Sequence, residues 1–496
     1  MEFFDNILLG FSTLFVPSRL FFCFLGTLIG TVVGVLPGIG PAGAISLLLP
    51  VTFSLDPTTG IIMLAGIYYG CMYGGSTTSI LVNIPGEAAS TVTCLDGYQM
   101  ARQGRAGAAL GISAFGSFIA GTIGVVGLML LTPLLTKFAV AFGPPEYFAL
   151  MFCGLSILIY LASGSVLKAV IMAVVGIFLG VIGLDITTGI PRFTYGSLTL
   201  FDGVGIVPVV MGLFGIAEVL DSIERPTQQE VVKADLSHLL PTRDDWKASA
   251  GPILRGSVVG FFLGILPGGT ATAATFASYA LEKKLSKHPE RFGQGTIEGV
   301  AAPEAANNAA VTGAFIPLIS LGIPTNPVMA MMLGALIVGG VQPGPLFIKE
   351  RPDIFWGVIA SMYLGNLMLL ILNLPLIPLW VKILRIPMSV LAPLITLFCM
   401  IGCLSLNGNY VEVLIMVLFG ILGFAFRKFE YEAAPLVFGM ILSSPIENKL
   451  RQSLLMSEGS FGIFFTRPIA LFFMAVGLTF FLLPVLQYLW SRRRSA

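Results

Sequence analysis

The sequence predicts an all-α polytopic membrane protein of roughly 10–14 crossings, arranged as two inverted-topology repeats with broken helices and re-entrant hairpins. Three observations predict it. First, of 496 residues 56% are hydrophobic and 11% charged, against roughly 25% charged in a soluble domain, so the surface must face lipid. Second, apolar runs recur, at 109–135, 147–163, 166–184, 205–220, 354–380, 388–405, 411–426 and 468–490 among others. Several exceed the roughly 20 residues that a helix needs to cross a bilayer, and they are too long and uniformly apolar for barrel strands. Third, the first half of the chain reappears in the second.

Taken in order, residues 1–19 form an N-terminal segment. Met1 to Asn6 carries two acids and no base, unlike the start of a cleaved secretory signal. Repeat one covers 20–225, a polar cytoplasmic linker covers 226–249, and repeat two covers 250–460. Residues 461–496 supply a last transmembrane helix and a basic cytoplasmic tail, Arg492-Arg493-Arg494. The duplication rests on three matches. GTVVGVLPGIGPAGAIS at 30–46 lies over GFFLGILPGGTATAATF at 260–276, with Pro37 over Pro267, an offset of 230. Asn83-Ile84-Pro85-Gly86 lies over Gly322-Ile323-Pro324-Thr325, an offset of 239, and the stretch 175–180 matches 419–423 after one slip, at an offset of 244. Slowly growing offsets are what loop drift after a duplication produces.

Charge orients the halves, because short cytoplasmic loops collect Lys and Arg. With the C-terminal arginines inside, 19 basic residues fall inside and eight outside. Loop 282–298, with Lys283, Lys284, Lys287 and Arg291, is then inside, whereas its counterpart at 51–60 has no base and carries Asp56. Related halves of opposite orientation are an architecture of secondary transporters, with unwound helices meeting near the midplane.

Four Gly/Pro/hydroxyl stretches interrupt the apolar sequence: LPGIGPAG at 36–43, GGSTTSILVNIPG at 74–86, LPGGTAT at 266–272 and SLGIPTNP at 320–327. Each should break a helix. The freed amides of the following half-helix suit an anion, and the freed carbonyls suit a small cation. The candidate substrate-binding residues are therefore Gly38, Gly40, Ser76, Thr77, Thr78, Ser79, Asn83 and Gly86 in repeat one. In repeat two they are Gly268, Gly269, Thr270, Thr272, Pro324, Thr325 and Asn326. Asn307, Asn308 and Glu304 are candidates for coupling to a cation or proton, since a carboxylate at membrane depth is expensive and usually functional. Glu87 raises the same question. The competing reading of these stretches is close helix packing, with Ser and Thr bonded to their own backbone. Cys399 and Cys403 share a helix face without His or acid, and read as small core residues.

Signals of catalysis are absent: there is no phosphate loop, no H-E-x-x-H and no G-x-S-x-G. The segments LPGIGP at 36–41, YYGCMYGGSTTSILVNIPG at 68–86, GYQMARQGRAGAALG at 97–111 and PEAANNAAVTGAFIPLISLGIPTNP at 303–327 resemble the large membrane subunit of tripartite tricarboxylate transporters over almost the whole chain. That resemblance implies about 12 helices in the bacterial inner membrane, energised by an ion gradient. It implies a small membrane subunit and a periplasmic solute-binding protein as partners, and small carboxylates such as citrate as substrates. No enzymatic activity, bound cofactor or nucleic acid is expected, only a co-transported Na⁺ or H⁺. An anion-selective channel and a membrane scaffold are the alternatives. Broken helices also build filters, but inverted repeats favour alternating access, and a scaffold leaves the four polar breaks without a use.

Overall fold

The computed structural model describes residues 2–36, 39–139, 141–162, 165–185, 187–224, 239–268, 270–383, 386 and 388–494. The chain starts with α1 (Glu2–Leu14), α2 (Pro17–Val35), α3 (Gly40–Thr52), α4 (Pro57–Val82), α5 (Thr91–Arg102), α6 (Ala106–Ala139), α7 (Pro144–Leu161) and α8 (Val166–Gly180). It continues with α9 (Ile206–Glu224), whose residues Met211–Ile216 form a π-helical turn. The second half contains α10 (Arg243–Ile265), α11 (Ala271–Leu285), α12 (Glu298–Leu321), α13 (Pro327–Val338), α14 (Pro352–Asn373) and α15 (Ile377–Ile383). Then come α16 (Met388–Asn407), α17 (Tyr410–Lys428), α18 (Ala434–Met456) and α19 (Pro468–Arg494). Among the described residues, strand occurs in one hairpin, where Gly183–Leu184 pairs antiparallel with Pro191–Arg192. The sequence reading did not anticipate it.

Among the described residues, seven helices are long and apolar enough to cross a membrane: α2, α6, α7, α9, α10, α14 and α17. Shorter apolar helices lie in α3, α8, α13, α16 and α19. α4 and α12, at 26 and 24 residues, are long but rich in Gly, Ser, Thr and Asn. They are buried from Thr58 to Val82 and from Gly299 to Ser320, so protein surrounds them and their polar groups need not meet hydrocarbon. Both end in the left-handed region, at Asn83 (φ 60) and Gly322 (φ 69), residue types that tolerate this conformation. The offset of 239 relates these two positions as well.

Close packing holds each central helix to its neighbour. On α2, Gly26, Gly30 and Gly34 lie against the carbonyls of Met63, Ile67 and Cys71, where an added Cβ would come within 2.3–2.4 Å of oxygen. On α10, Gly256, Gly260 and Gly264 meet the carbonyls of Ala302, Ala306 and Ala310 at 2.1–2.4 Å. Glycines four apart let the backbones touch, which is the usual means of helix association in lipid. The two stripes are offset by 230 throughout.

α4 and α12 run antiparallel. Ser76 meets Glu304 at 2.5 Å, the Tyr69 ring stacks on Phe315 at 6.2 Å, and Asn326, just beyond α12, reaches Tyr68. The connection before α4 and the connection before α12 therefore lie at opposite ends of the pair. At the α12 start, the buried Asp96 carboxylate of α5 accepts from the backbone N–H groups of Gly293, Gly295 and Thr296. Arg105 pairs there with Asp245 at 2.6 Å. At the α4 start, Asp56 caps the helix and pairs with Arg19 at 3.6 Å.

The halves are interwoven. α6 of the first packs on α12 of the second, and α14 of the second packs on α4 of the first. α9 packs on α16 and α17, whereas α18 packs on α7 and α8.

Candidate functional site

The α4–α12 contact carries the densest buried polar cluster described. Glu304, Asn307 and Asn308 lie three and four residues apart, hence on one face of α12, and all are fully buried. Glu304 accepts hydrogen bonds from Ser76 of α4 and Thr93 of α5, each at 2.5 Å. The hydroxyls of Ser113 and Ser117 on α6 also face it. Asn308 Nδ2 donates to Ser117 Oγ at 2.7 Å and to the Glu304 carbonyl at 3.1 Å. No Lys, Arg or His forms an ion pair with Glu304 or Glu87 among the described residues.

The second element of the site is a pair of crossed contacts. Glu87, which follows the break after α4, accepts from Asn307 Nδ2 of α12 at 3.3 Å. Asn326, which follows the break after α12, donates to the Tyr68 hydroxyl of α4 at 3.3 Å. The offset of 239 that aligns Pro85 with Pro324 also aligns Glu87 with Asn326 and Tyr68 with Asn307. One contact is thus the other with the halves exchanged. Gly75 makes the first possible, because a Cβ there would lie 1.8 Å from Glu87 Oε2.

The breaks themselves meet within each half. Gly268 N–H donates to the Thr325 carbonyl at 2.9 Å. Gly86 sits against the Gly34 carbonyl and the Gly75 Cα, each 2.4 Å from an added Cβ. Three helix starts near the breaks already have a side-chain acceptor or acid. Thr270 caps α11 through Ala273 N, Asn326 caps α13 through Met329 N, and Glu87 stands before the single turn 88–90 that leads into α5. Among the described residues α3, which starts at Gly40 (φ 60), has no side-chain cap; Pro41 lacks an N–H, so Gly40 and Ala42 carry the first-turn amides that an anion could meet.

The remaining residues singled out from sequence fall into four groups. Thr77 is buried and lines a small cavity with Ser76. Thr78, Ser79 and Ser320 bond backbone carbonyls of Val35, Gly75 and Ile316, as the packing alternative expects. Asn83 is exposed at its helix end, Thr272 is half-buried, and Pro324 is buried in the second break. Gly38 and Gly269 lie outside the described residues. Sequence reasoning missed Thr93, Ser113, Ser117, Tyr68 and Tyr73. Only Tyr68 left a signal, its alignment with Asn307. Among the described residues no group of three or more His, Cys, Asp or Glu could hold a metal ion, and Cys399 and Cys403 are buried and free.

Residues 20–438 match the family described as the tripartite tricarboxylate transporter TctA family. An Agrobacterium vitis protein, described as an uncharacterized 52.8 kDa protein in the TAR-I ttuC′ 3′ region, is 50% identical over 99% of this chain and 98% of its own length. A second from the same organism, described as an uncharacterized protein in the TAR-II ttuC′ 3′ region, is 50% identical over 47% of this chain and 97% of its own. No solved structure matches.

Proposed function

Because this chain belongs to the tripartite tricarboxylate transporter TctA family, we propose that it is the carrier subunit of a secondary active system importing a small di- or tricarboxylate, such as citrate or a related organic acid. Na⁺ or H⁺ is co-transported. A periplasmic binding protein delivers the substrate, and a small membrane subunit completes the assembly in the bacterial inner membrane, with the C-terminus cytoplasmic. The observation that carries this reading is the exchanged pair of contacts, Glu87 with Asn307 and Asn326 with Tyr68. Two equivalent joints between antiparallel central helices are what alternating access by inverted repeats requires. The stripes Gly26–Gly30–Gly34 and Gly256–Gly260–Gly264 support the duplication, and the placement of loops 53–56 and 286–297 at opposite ends supports the inversion.

An anionic substrate has no base in the four breaks to meet. An unpaired charge at membrane depth costs at least several kcal/mol, and a helix start supplies about 0.3–2 kcal/mol through its dipole. A cation is needed as well, and Glu304 with Asn307 and Asn308 offers it oxygens. Substrate and cation then strengthen each other's binding. The test is uptake into proteoliposomes holding both membrane subunits, with binding protein supplied, across a carboxylate panel under Na⁺ and pH gradients. Saturable uptake driven by one gradient is expected, with Asn308→Ala raising the cation concentration needed for half-maximal uptake. Non-saturating flux independent of both gradients would indicate a channel instead.

A further inference from the structure

We propose a single-cation site between α4, α6 and the end of α14, distinct from the helix breaks and suited to Na⁺. The inference rests on the carrier reading and deepens it: the coupling ion lies in a pocket one hydrogen bond from Glu304, with the Glu304–Asn308 cluster supporting it from behind. A cavity of about 10 Å³, lined by Tyr73, Ser76, Thr77, Ser113 and Asn373, has room for one water-sized body. These five residues are all buried.

The chemistry of the wall is one-sided. The Ser76 hydroxyl donates its proton to Glu304 at 2.5 Å, and the Ser113 hydroxyl is also engaged with Glu304. Tyr73 donates to Asn366 Oδ1 at 2.5 Å. Asn373 directs its Nδ2 to the Leu369 carbonyl at 2.8 Å, and its Oδ1, buried, accepts no hydrogen bond among the described residues. Tyr73, Ser76 and Ser113 thus donate outside the cavity and keep lone pairs, and Asn373 Oδ1 is unpartnered, while Leu110, Ala114 and Ile377 complete the wall. Hard cations take oxygen ligands of this kind. Charge points the same way. The Glu304 carboxyl, one hydrogen bond behind Ser76, is buried without a basic partner among the described residues, so a bound cation would be what lets it carry a charge. The site also joins α14 of the second half to α4 and α6 of the first, so its occupancy would bear on the packing of one half against the other.

Purified full-length protein provides the test, by ²²Na⁺ binding and by thermal stabilisation with Na⁺ against K⁺ or choline at constant ionic strength. Saturable, Na⁺-selective binding is expected in the wild type, weakened about tenfold or more by Asn373→Ala and by Ser113→Ala. Asn373→Asp keeps the shape, adds an oxygen charge, and should retain binding while changing selectivity among Na⁺, Li⁺ and K⁺, which a fault in folding would not do. Absence of saturable Na⁺ binding in the wild type overturns the site. So does wild-type affinity in folded Asn373→Ala and Ser113→Ala proteins. Na⁺-driven carboxylate uptake with unaltered Na⁺ affinity in these variants overturns the site and leaves the carrier reading intact. Variant-sensitive Na⁺ binding without any carboxylate uptake supports the site and overturns the carrier reading.

Discussion

At the scale of single residues, Glu304 concentrates the consequences. Its carboxylate gathers the hydroxyls of Ser76, Thr93, Ser113 and Ser117 from three helices. Hydrogen bonds to charged groups contribute about 1.5–3 kcal/mol each, so replacement reaches well beyond one contact. Glu304→Gln keeps the size and removes the charge. We expect uptake to fall by about tenfold or more while size-exclusion profiles stay monodisperse; wild-type uptake in this variant would remove Glu304 from the coupling scheme. A second prediction concerns Asp185, beside the hairpin. Its carboxyl is held well below the usual range by the Thr187 N–H, the Thr188 hydroxyl, and Arg192 and Arg451. A depressed native pKa stabilises the fold above the unfolded value and loses that contribution as pH falls through the native one. The melting-temperature difference between wild type and Asp185→Asn should therefore be constant above about pH 5 and shrink only below about pH 4. A difference growing toward acid would reverse the sign and reject this account.

At the scale of elements, the glycine stripes decide which helices can touch. Gly30→Ala and Gly260→Ala each drive a methyl into a carbonyl, at 2.4 Å from Ile67 O and 2.1 Å from Ala306 O. Overpacking of this kind costs about 1–3 kcal/mol. Gly116→Ala on α6 meets nothing closer than 3.5 Å and should be neutral or stabilising, as a helix-interior Gly→Ala change is worth roughly 0.5–1 kcal/mol. Melting temperatures in detergent will separate the two classes, and similar values for all three variants would refute the tight contact. The stripes show what was legible. The match of 30–46 with 260–276 placed Gly34 over Gly264, and the structure extends the register back to Gly26 and Gly256. Helix breaks were readable in part. The stretch at 74–86 predicts a broken helix, yet α4 runs unbroken through Gly74–Gly75 to Val82 and ends only at Asn83, and Pro303 and Pro317 lie within α12. The polar partners were not readable: Asn307 and Glu87 are 220 residues apart, and Tyr73 and Asn366 are 293 apart. Pairing over that distance depends on how the halves interlock, which no local pattern encodes. Thr78 reaches the Val35 carbonyl, 43 residues away, whereas Ser79 bonds the Gly75 carbonyl four residues back, a contact that the local packing alternative anticipates.

At the scale of the molecule, the prediction is opposite accessibility of matched loops. Single cysteines at 54–58 and at 286–291, introduced on a background with the native cysteines replaced, should label from opposite sides of the membrane with an impermeant maleimide. Labelling from the same side would contradict both the antiparallel pairing of α4 with α12 and the inverted reading built on it. The basic stretch formed by the end of α11 and the loop after it, including Lys283, Lys284 and Arg291, should face the cytoplasm by the positive-inside rule.

The exchange of α9 and α18 between halves sets the order in which the chain can mature as it leaves the ribosome. When residues up to Glu224 have entered the bilayer, α9 has α3 beside it, but the partners of its other face, α16 and α17, residues 388–428, have yet to follow. α7 and α8 wait longer still, for α18 at 434–456. The first half therefore remains an unfinished intermediate, with helix faces meant for protein exposed to lipid or to insertion factors, through most of synthesis. Truncation anywhere before about residue 456 leaves α8 without the α18 packing that completes it, so quality control can recognise an incomplete chain from its first half alone.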